Sequence, residues 1–275
     1  MILQIEHQTS YRFDTPATYS IQSLHLTPAS FEGQRVLSWQ VAAEPWGSLN
    51  ASTDVFGNLV HVAARYMEHE QVTVRAWGRV ETADTAGVVR ETVEPLAPRL
   101  YLRTTELTQP DRRLDALARK AAQGADGALD ACHRVMAAVR DAVDYQPGHT
   151  GTASTAAQAL ALGKGVCQDH AHVFIACART LGIPARYAGG YMWDGDGRQD
   201  VEAGHGWAEA HLEELGWVGF DPSNRQCPTD AYVRVAVGLD YDDACPVRGI
   251  RRSFGAETLD VVVRVAQAGY QSQSQ

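Results

Sequence analysis

Gly163-Lys-Gly-Val-Cys-Gln-Asp-His-Ala-His172 sets a cysteine, Cys167, where two glycines give way to a long apolar helical pattern. Phe174, Cys177, Ala178 and Leu181 continue that pattern as one apolar face, and Gly182-Ile-Pro184 stops it, so the spacing predicts a helix beginning near Cys167. A thiol at a helix N-terminus sits among unsatisfied backbone N–H groups and the positive end of the helix dipole. Both favour the thiolate, which is the nucleophilic species.

Upstream, residues 1 to about 85 alternate with period two. Leu3, Ile5, Tyr11 and Phe13, then Leu37, Trp39 and Val41, then Val72, Val74, Ala76 and Val80 stand between polar neighbours. With turn chemistry at Pro28, Pro45-Trp-Gly47 and Phe56-Gly-Asn58, this predicts an antiparallel sandwich of short strands. No catalytic cluster is visible there, and His7, His25, His61 and His69 read as surface or strand-pairing residues. Residues 91–111, with Pro95, Pro98 and Pro110, read as a linker or long connection. Helical spacing follows in Leu114, Leu117 and Ala118, in Leu129, Cys132, Val135, Met136 and Val139, and in a short run at 154–162. Strands are expected at 185–193, 204–211, 216–221 and 259–265. Helices followed by strands give an α+β class, with residues 1–90 as a β-sandwich-like domain and 112–275 as the second domain.

A thiol nucleophile for acyl transfer needs a base, a group to orient that base, and oxyanion donors. His205 in Gly204-His-Gly-Trp-Ala-Glu209 and Asp221 in Gly216-Trp-Val-Gly-Phe-Asp-Pro-Ser-Asn224 supply the first two. A hairpin turning over residues 211–215 would pair 210 with 216 and 205 with 221, placing cross-strand Cβ atoms about 4.5–5.5 Å apart. A loop shorter by two residues would pair 207 with 221 and separate the groups. Asp169, Trp207 and Tyr145 are candidate supporting residues. Asp169 complements the helix dipole, Trp207 is a core or cleft-wall residue, and Tyr145, with Gln146, is a candidate second oxyanion donor.

These motifs, in this order, resemble the core of the transglutaminase-like superfamily over roughly residues 140–225. The strand-rich first part, Val235-Ala-Val-Gly-Leu-Asp240 and Pro246-Val-Arg-Gly249 are similar to the bacterial branch with its own N-terminal β-domain. The resemblance implies a papain-like fold with a Cys167, His205, Asp221 triad acting on an amide through a thioester. Gly206 departs from the alanine or valine usual before the tryptophan, and Ser223 from the common threonine. Water as acceptor would give a peptidase or amidase and an amine would give transamidation; some relatives have lost the cysteine and serve as scaffolds. Hydrolysis is the favoured reading, since nothing in the sequence marks an amine-acceptor site.

Other chemistries fit poorly. His170 and His172 are two apart on a helix and diverge by about 200°, and His205 and His211 would lie about 20 Å apart along a strand. Asp194-Gly-Asp-Gly-Arg-Gln-Asp200 lacks the ligand at its fifth position, the turn glycine and the closing glutamate of a calcium loop, and reads as a solvated hairpin loop. No metal or other cofactor is expected. The net charge of −9, without a basic run, argues against nucleic-acid and anionic-membrane partners. Five cysteines without a CxxC suit reduced thiols, Cys132 and Cys177 being packing residues. With no signal-like N-terminus, the default location is cytoplasmic. The expected partner is a peptide, protein or other amide substrate, and oligomeric state is not encoded legibly.

Overall fold

The computed structural model describes residues 1–45, 49–195 and 204–268. The turn at Trp46-Gly47 and most of the 194–200 loop lie outside them.

The alternating N-terminal segment forms β1 (Ile2–Ala17), β2 (Tyr19–Thr27), β3 (Gln34–Glu44), β4 (Asn50–Thr53), β5 (Leu59–Arg65) and β6 (His69–Thr82), followed by the two-residue β7 (Val88–Val89). The strands are not uniformly short: β1 has 16 residues and β6 has 14. β1 shifts register between Arg12 and Ala17, which lets one strand serve two surroundings. Phe13 and Ala17, with Leu24, Leu26, Ala63, Val72 and Val74, fill the sandwich interior. Leu3, Ile5 and Val80, nearer the other ends of β1 and β6, join the core of the helical part. One end of the N-terminal sheet thus shares the apolar core of the helices, beside the separate cluster of the sandwich interior.

The helical block comprises α1 (Arg112–Ala121), α2 (Gly127–Ala142), α3 (Ala156–Leu162) and α4 (Cys167–Thr180), with the short parallel pair β8 (Asp144–Tyr145) and β9 (Lys164–Gly165) between them. Asp111 caps α1 through Arg113 and Leu114 N–H, and Thr155 with Gln158 forms a capping box on α3. Helix α4 is buried on every side from Gln168 to Arg179, not on one face only. Its polar residues are tolerated there because distant groups bond them. Arg179, for example, donates to the carbonyls of Tyr101, Ala185 and Leu239 and to the Thr108 hydroxyl. These bonds dock the expected linker firmly; it contains a 3-10 turn at Pro98–Leu102.

After α4 come β10 (Ala185–Met192), β11 (His205–Leu212), β12 (Gly216–Phe220), β13 (Tyr232–Gly238), α5 (Tyr241–Ala244), β14 (Val247–Arg252) and β15 (Glu257–Gln267). The central sheet runs β13-β10-β11-β12-β7. The last two strands return to the N-terminal sheets, giving orders β15-β1-β6-β3 and β14-β2-β5-β4. Residues 112–275 therefore do not stand apart from 1–90. Val261, Val263 and Val265 alternate in step with Thr9, His7 and Ile5, and the pairing of β15 covers an edge of β1 that would otherwise expose unpaired backbone groups.

Candidate active site

Cys167 is the first residue of α4. Gly163 adopts φ +69°, which ends α3 and turns the chain into β9. Asp169, two residues beyond Cys167, reaches back so that its Oδ2 accepts from Val166 N–H (2.8 Å) and the Thr150 hydroxyl (2.6 Å). Burial pushes this carboxyl up while those two bonds hold it down, and the net shift is upward. A Cβ on Gly165 would lie 2.7 Å from the Asp169 carboxylate, so glycine is required where the chain approaches the cysteine. Asp169 is thus a positioning residue for the Cys167 turn.

His205 opens β11, and its Nε2 bonds Asp221 Oδ2 at 2.7 Å. Its remaining ring nitrogen is free for Cys167, whose side chain is its second hydrogen-bonding partner. Burial opposes protonation of this ring, but the bonds to Asp221 and Cys167 prevail and push it up to about 10. Asp221 is fully buried. Burial would raise its carboxyl, yet His205, Asn224 and Tyr232 hold it below the usual value. Asn224 Nδ2 (2.7 Å) and the Tyr232 hydroxyl (2.8 Å) donate to the same Oδ2, and Ser223 N–H (3.0 Å) to Oδ1.

The hairpin register differs from the expected one. Leu212 pairs with Gly216, Ala210 with Val218 and Ala208 with Phe220, so the loop is shorter by two residues. Continued by one step, that register puts Trp207 opposite Asp221. The histidine and aspartate are not separated, because side chains on a cross-strand diagonal remain within reach of each other. Asp221 also leaves the strand at an isolated bridge to Gln226.

Trp207 is buried and stacks beside His205 (centroids 6.1 Å, interplanar 27°), while Tyr232 meets both rings edge-on. Tyr145 is held beside Cys167 by β8, which pairs with the β9 strand leading into the cysteine. Burial, with the nearby Cys167 and Asp221, raises its phenol. Gln146 N–H is taken by Gly165 C=O (2.8 Å). His170 and His172 enter separate bonds, the first to Ser223 Oγ (2.8 Å) and Val143 C=O (2.9 Å), the second as acceptor from Tyr241 N–H (3.1 Å). Among the described residues no group of three or more His, Cys, Asp or Glu side chains is placed to hold a metal ion. Cys132 and Cys177 are buried thiols, each pushed up to about 12 by burial.

The cleft above Cys167 also takes residues from the N-terminal sheet: His7, Thr9 and Tyr11 line it. His7 is buried, as are His25 and His69, so of the two expected roles, surface or strand-pairing, His7 takes the second, within β1. Its imidazole bonds the Tyr191 hydroxyl (2.9 Å) and Thr9 Oγ1 (3.0 Å). Neither Tyr232 nor the β1 residues carried a signal in the local sequence pattern; tertiary pairing brings them to the site.

Gly206 has a spatial reason. A Cβ there would fall 1.9 Å from the hydroxyl of Tyr187, a fully buried ring that cannot swing away. Gly206→Ala is expected to lower stability by about 1–3 kcal/mol, the usual range for overpacking. Urea unfolding midpoints would test this, and Tyr187→Phe in the same chain should recover much of the loss; an unchanged midpoint in Gly206→Ala would contradict the packing argument.

A cysteine at a helix start, bonded to a histidine on the facing sheet that is in turn bonded to a buried aspartate, is the arrangement of papain-like thiol proteins. The chain belongs to the transglutaminase-like superfamily. The family profile of that superfamily matches residues 115–222, and that of the bacterial transglutaminase-like N-terminal region matches residues 3–81. An uncharacterized protein of Mycobacterium leprae is 34% identical over 287 residues, covering 96% of this chain and 98% of its own. One of Mycobacterium bovis is 26% identical, covering 90% and 86%. A crystal structure from Cytophaga hutchinsonii, described as a "putative cysteine protease", superposes with a TM-score of 0.77 at 22% identity, covering 97% of this chain and 90% of that one, and so shares the fold. No helix among the described residues is long and apolar enough to cross a membrane.

Proposed function

We propose that the protein is a cysteine amidase or peptidase that cleaves an amide through a thioester on Cys167. The observation that carries this reading is the continuous hydrogen-bonded series from Cys167 through His205 to buried Asp221, open to a cleft at the start of α4.

The thiolate attacks the amide carbonyl, forming a C–S bond and an oxyanion. The first residue of a helix has no intrahelical acceptor for its N–H, so Cys167 N–H is available to that oxyanion. The Tyr145 hydroxyl is the better second donor, since Gln146 N–H is already bonded. Imidazolium His205 gives its proton to the departing amine as the C–N bond breaks, leaving the thioester. The same ring, now neutral, takes a proton from water, whose oxygen displaces sulfur and releases the acid. Asp221 fixes the ring's tautomer and orientation throughout. Water is the preferred acceptor because the described cleft lining presents no carboxylate to gather a lysine side chain.

Timed alkylation with iodoacetamide, read by peptide mass spectrometry, tests the nucleophile. Cys167 should react well ahead of the other four cysteines, and that fast phase should vanish in Cys167→Ala. Uniformly slow labelling of all five would reject the enzyme. Incubation with casein and a fluorescent amine then tests the acceptor: new amino termini without incorporated label are expected, whereas label incorporation would assign transamidation.

A further inference from the structure

We propose that the group a substrate places next to its reacting carbonyl is uncharged and apolar, and that strands β1 and β15 of the N-terminal sheet select it. This rests on Cys167 being the nucleophile.

The cleft holds about 270 Å³, just below the roughly 300–1,000 Å³ typical of small-molecule sites. It suits one side chain near the sulfur rather than a folded segment. One wall is a two-column ladder. Register pairs Thr9 with Val261 and Tyr11 with Leu259, and partners across antiparallel strands present their side chains on the same face. All four line the cleft. The facing wall carries the Tyr187 and Tyr241 rings. Its depth is set at Gly206, where the Tyr187 hydroxyl occupies the space a Cβ would need.

Apart from Cys167 and His205, the described lining is neutral at physiological pH. Burial holds His7 down at about 4 and pushes Tyr11 up to about 12; the Tyr187 and Tyr241 phenols are also raised by burial. Three neighbouring carboxylates are already committed, and Asp242, beside Tyr241, is exposed to solvent outside the lining. Asp221 binds His205, Asp169 binds Thr150 and Val166 N–H, and Glu257, on the same face of β15 as Leu259, binds Arg251 at 2.7 Å. An ammonium or carboxylate entering this cleft would give up its hydration and meet only the Cys167–His205 pair, whose charges already match each other, whereas an aromatic or branched aliphatic group would leave water for matching apolar walls. The wall comes from opposite ends of the chain, from β1 and β15, so the N-terminal sheet takes part in choosing the substrate.

Peptidyl fluoromethyl ketones identical except for Phe, Leu, Glu or Lys beside the warhead test the proposal. Their labelling rates at Cys167 are divided by the iodoacetamide rate, which reports thiol reactivity without filling the cleft. The Phe and Leu probes should react at least roughly ten-fold faster than the Glu and Lys probes, a modest discrimination for a pocket. Leu259 is 53% exposed at the cleft edge, so substitutions there leave the core intact. Leu259→Glu should raise the relative rate of the Lys probe and Leu259→Lys that of the Glu probe, each taken against the same variant's own iodoacetamide rate. Equal rates for the four probes, preference for a charged one, no shift in either variant, or no peptidyl labelling of a Cys167 that iodoacetamide attacks rapidly would each overturn the selection and leave the nucleophile standing. Slow iodoacetamide labelling of Cys167 would reject both.

Discussion

Asp221→Asn is expected to cut amide turnover by a factor on the order of 10⁴, the scale on which a triad loses activity when its orienting carboxylate becomes an amide. The carboxylate Oδ2 collects three donors, from His205, Asn224 and Tyr232. An amide of the same shape offers one acceptor oxygen and two N–H groups, so either these three donors at Oδ2 or the Ser223 N–H at Oδ1 will face a donor. The readout that separates orientation from mere loss of fold is the titration of His205. Burial pulls that ring down, and the bond to Asp221 leads the effects that push it up to about 10. Without the carboxylate the titration must move downward, and the alkaline limb of amide turnover, which needs the imidazolium proton, must move with it. NMR of the imidazole C–H signals across a pH series measures the first, and residual turnover across the same series the second. An alkaline limb left near 10 in Asp221→Asn would show that Asp221 does not govern the ring.

The same pair gives a stability profile with a definite sign. His205 is raised above its unfolded value of 6.5, so its contribution is complete below 6.5 and is lost as pH rises through about 10. Asp221 is lowered from 3.8, so its contribution is present above that value and is lost as pH falls through the folded one. Seen from both ends, the pair stabilises the fold most between those limits. The difference in urea midpoint between the native chain and Asp221→Asn should accordingly be greatest in the mildly acid range and should shrink in strong alkali.

The site was legible where its information is local. The glycines before Cys167, the apolar helix after it and the two strand motifs all lie within residues 163–224, and each declares its geometry through its neighbours. The hairpin sits two residues away from the expected register, and Gly216, at φ +79°, marks where its three-residue loop closes. Diagonal cross-strand reach kept His205 and Asp221 together despite that shift. What stayed hidden is non-local. The run of polar residues in α4 gave no sign that the helix is enclosed, because their partners are Val143, Ser223, Thr150 and Tyr241, tens of residues away. His7 looked like any strand histidine, since nothing near it announces that β15 will pair beside it from the other end of the chain. Alternation fixes which residues share a face, but not which neighbour that face will meet.

Glu209→Leu is expected to be the most destabilising single change outside the triad, by about 3–5 kcal/mol, the cost of stranding buried charge when one partner of a buried pair is removed. Glu209 lies on β11, four residues beyond His205, and is fully buried. Its Oε2 accepts from Arg186 Nε and its Oε1 from Arg234 Nε, both at 2.7 Å, joining β11 to β10 and β13. Arg186 is also buried; it reaches Glu94 in the connecting segment (2.6 Å) and lies 3.8 Å above the centre of the Trp217 ring. Removing the carboxylate leaves Arg186 with Glu94 alone and Arg234 without its acid, in the sheet that carries His205. Burial would raise the Glu209 carboxyl, but the two guanidinium groups hold it below 4.5. Its contribution is therefore present above that value and is lost as pH falls through the folded one, so native and variant unfolding midpoints should converge in acid. Urea unfolding of Glu209→Leu and Glu209→Gln at neutral and acid pH checks both points. Gln should lose less than Leu at neutral pH, because it still offers a carbonyl oxygen to one arginine. A Leu variant as stable as the native chain at neutral pH would mean that the two arginines find water instead, and that the network does not hold β10, β11 and β13 together.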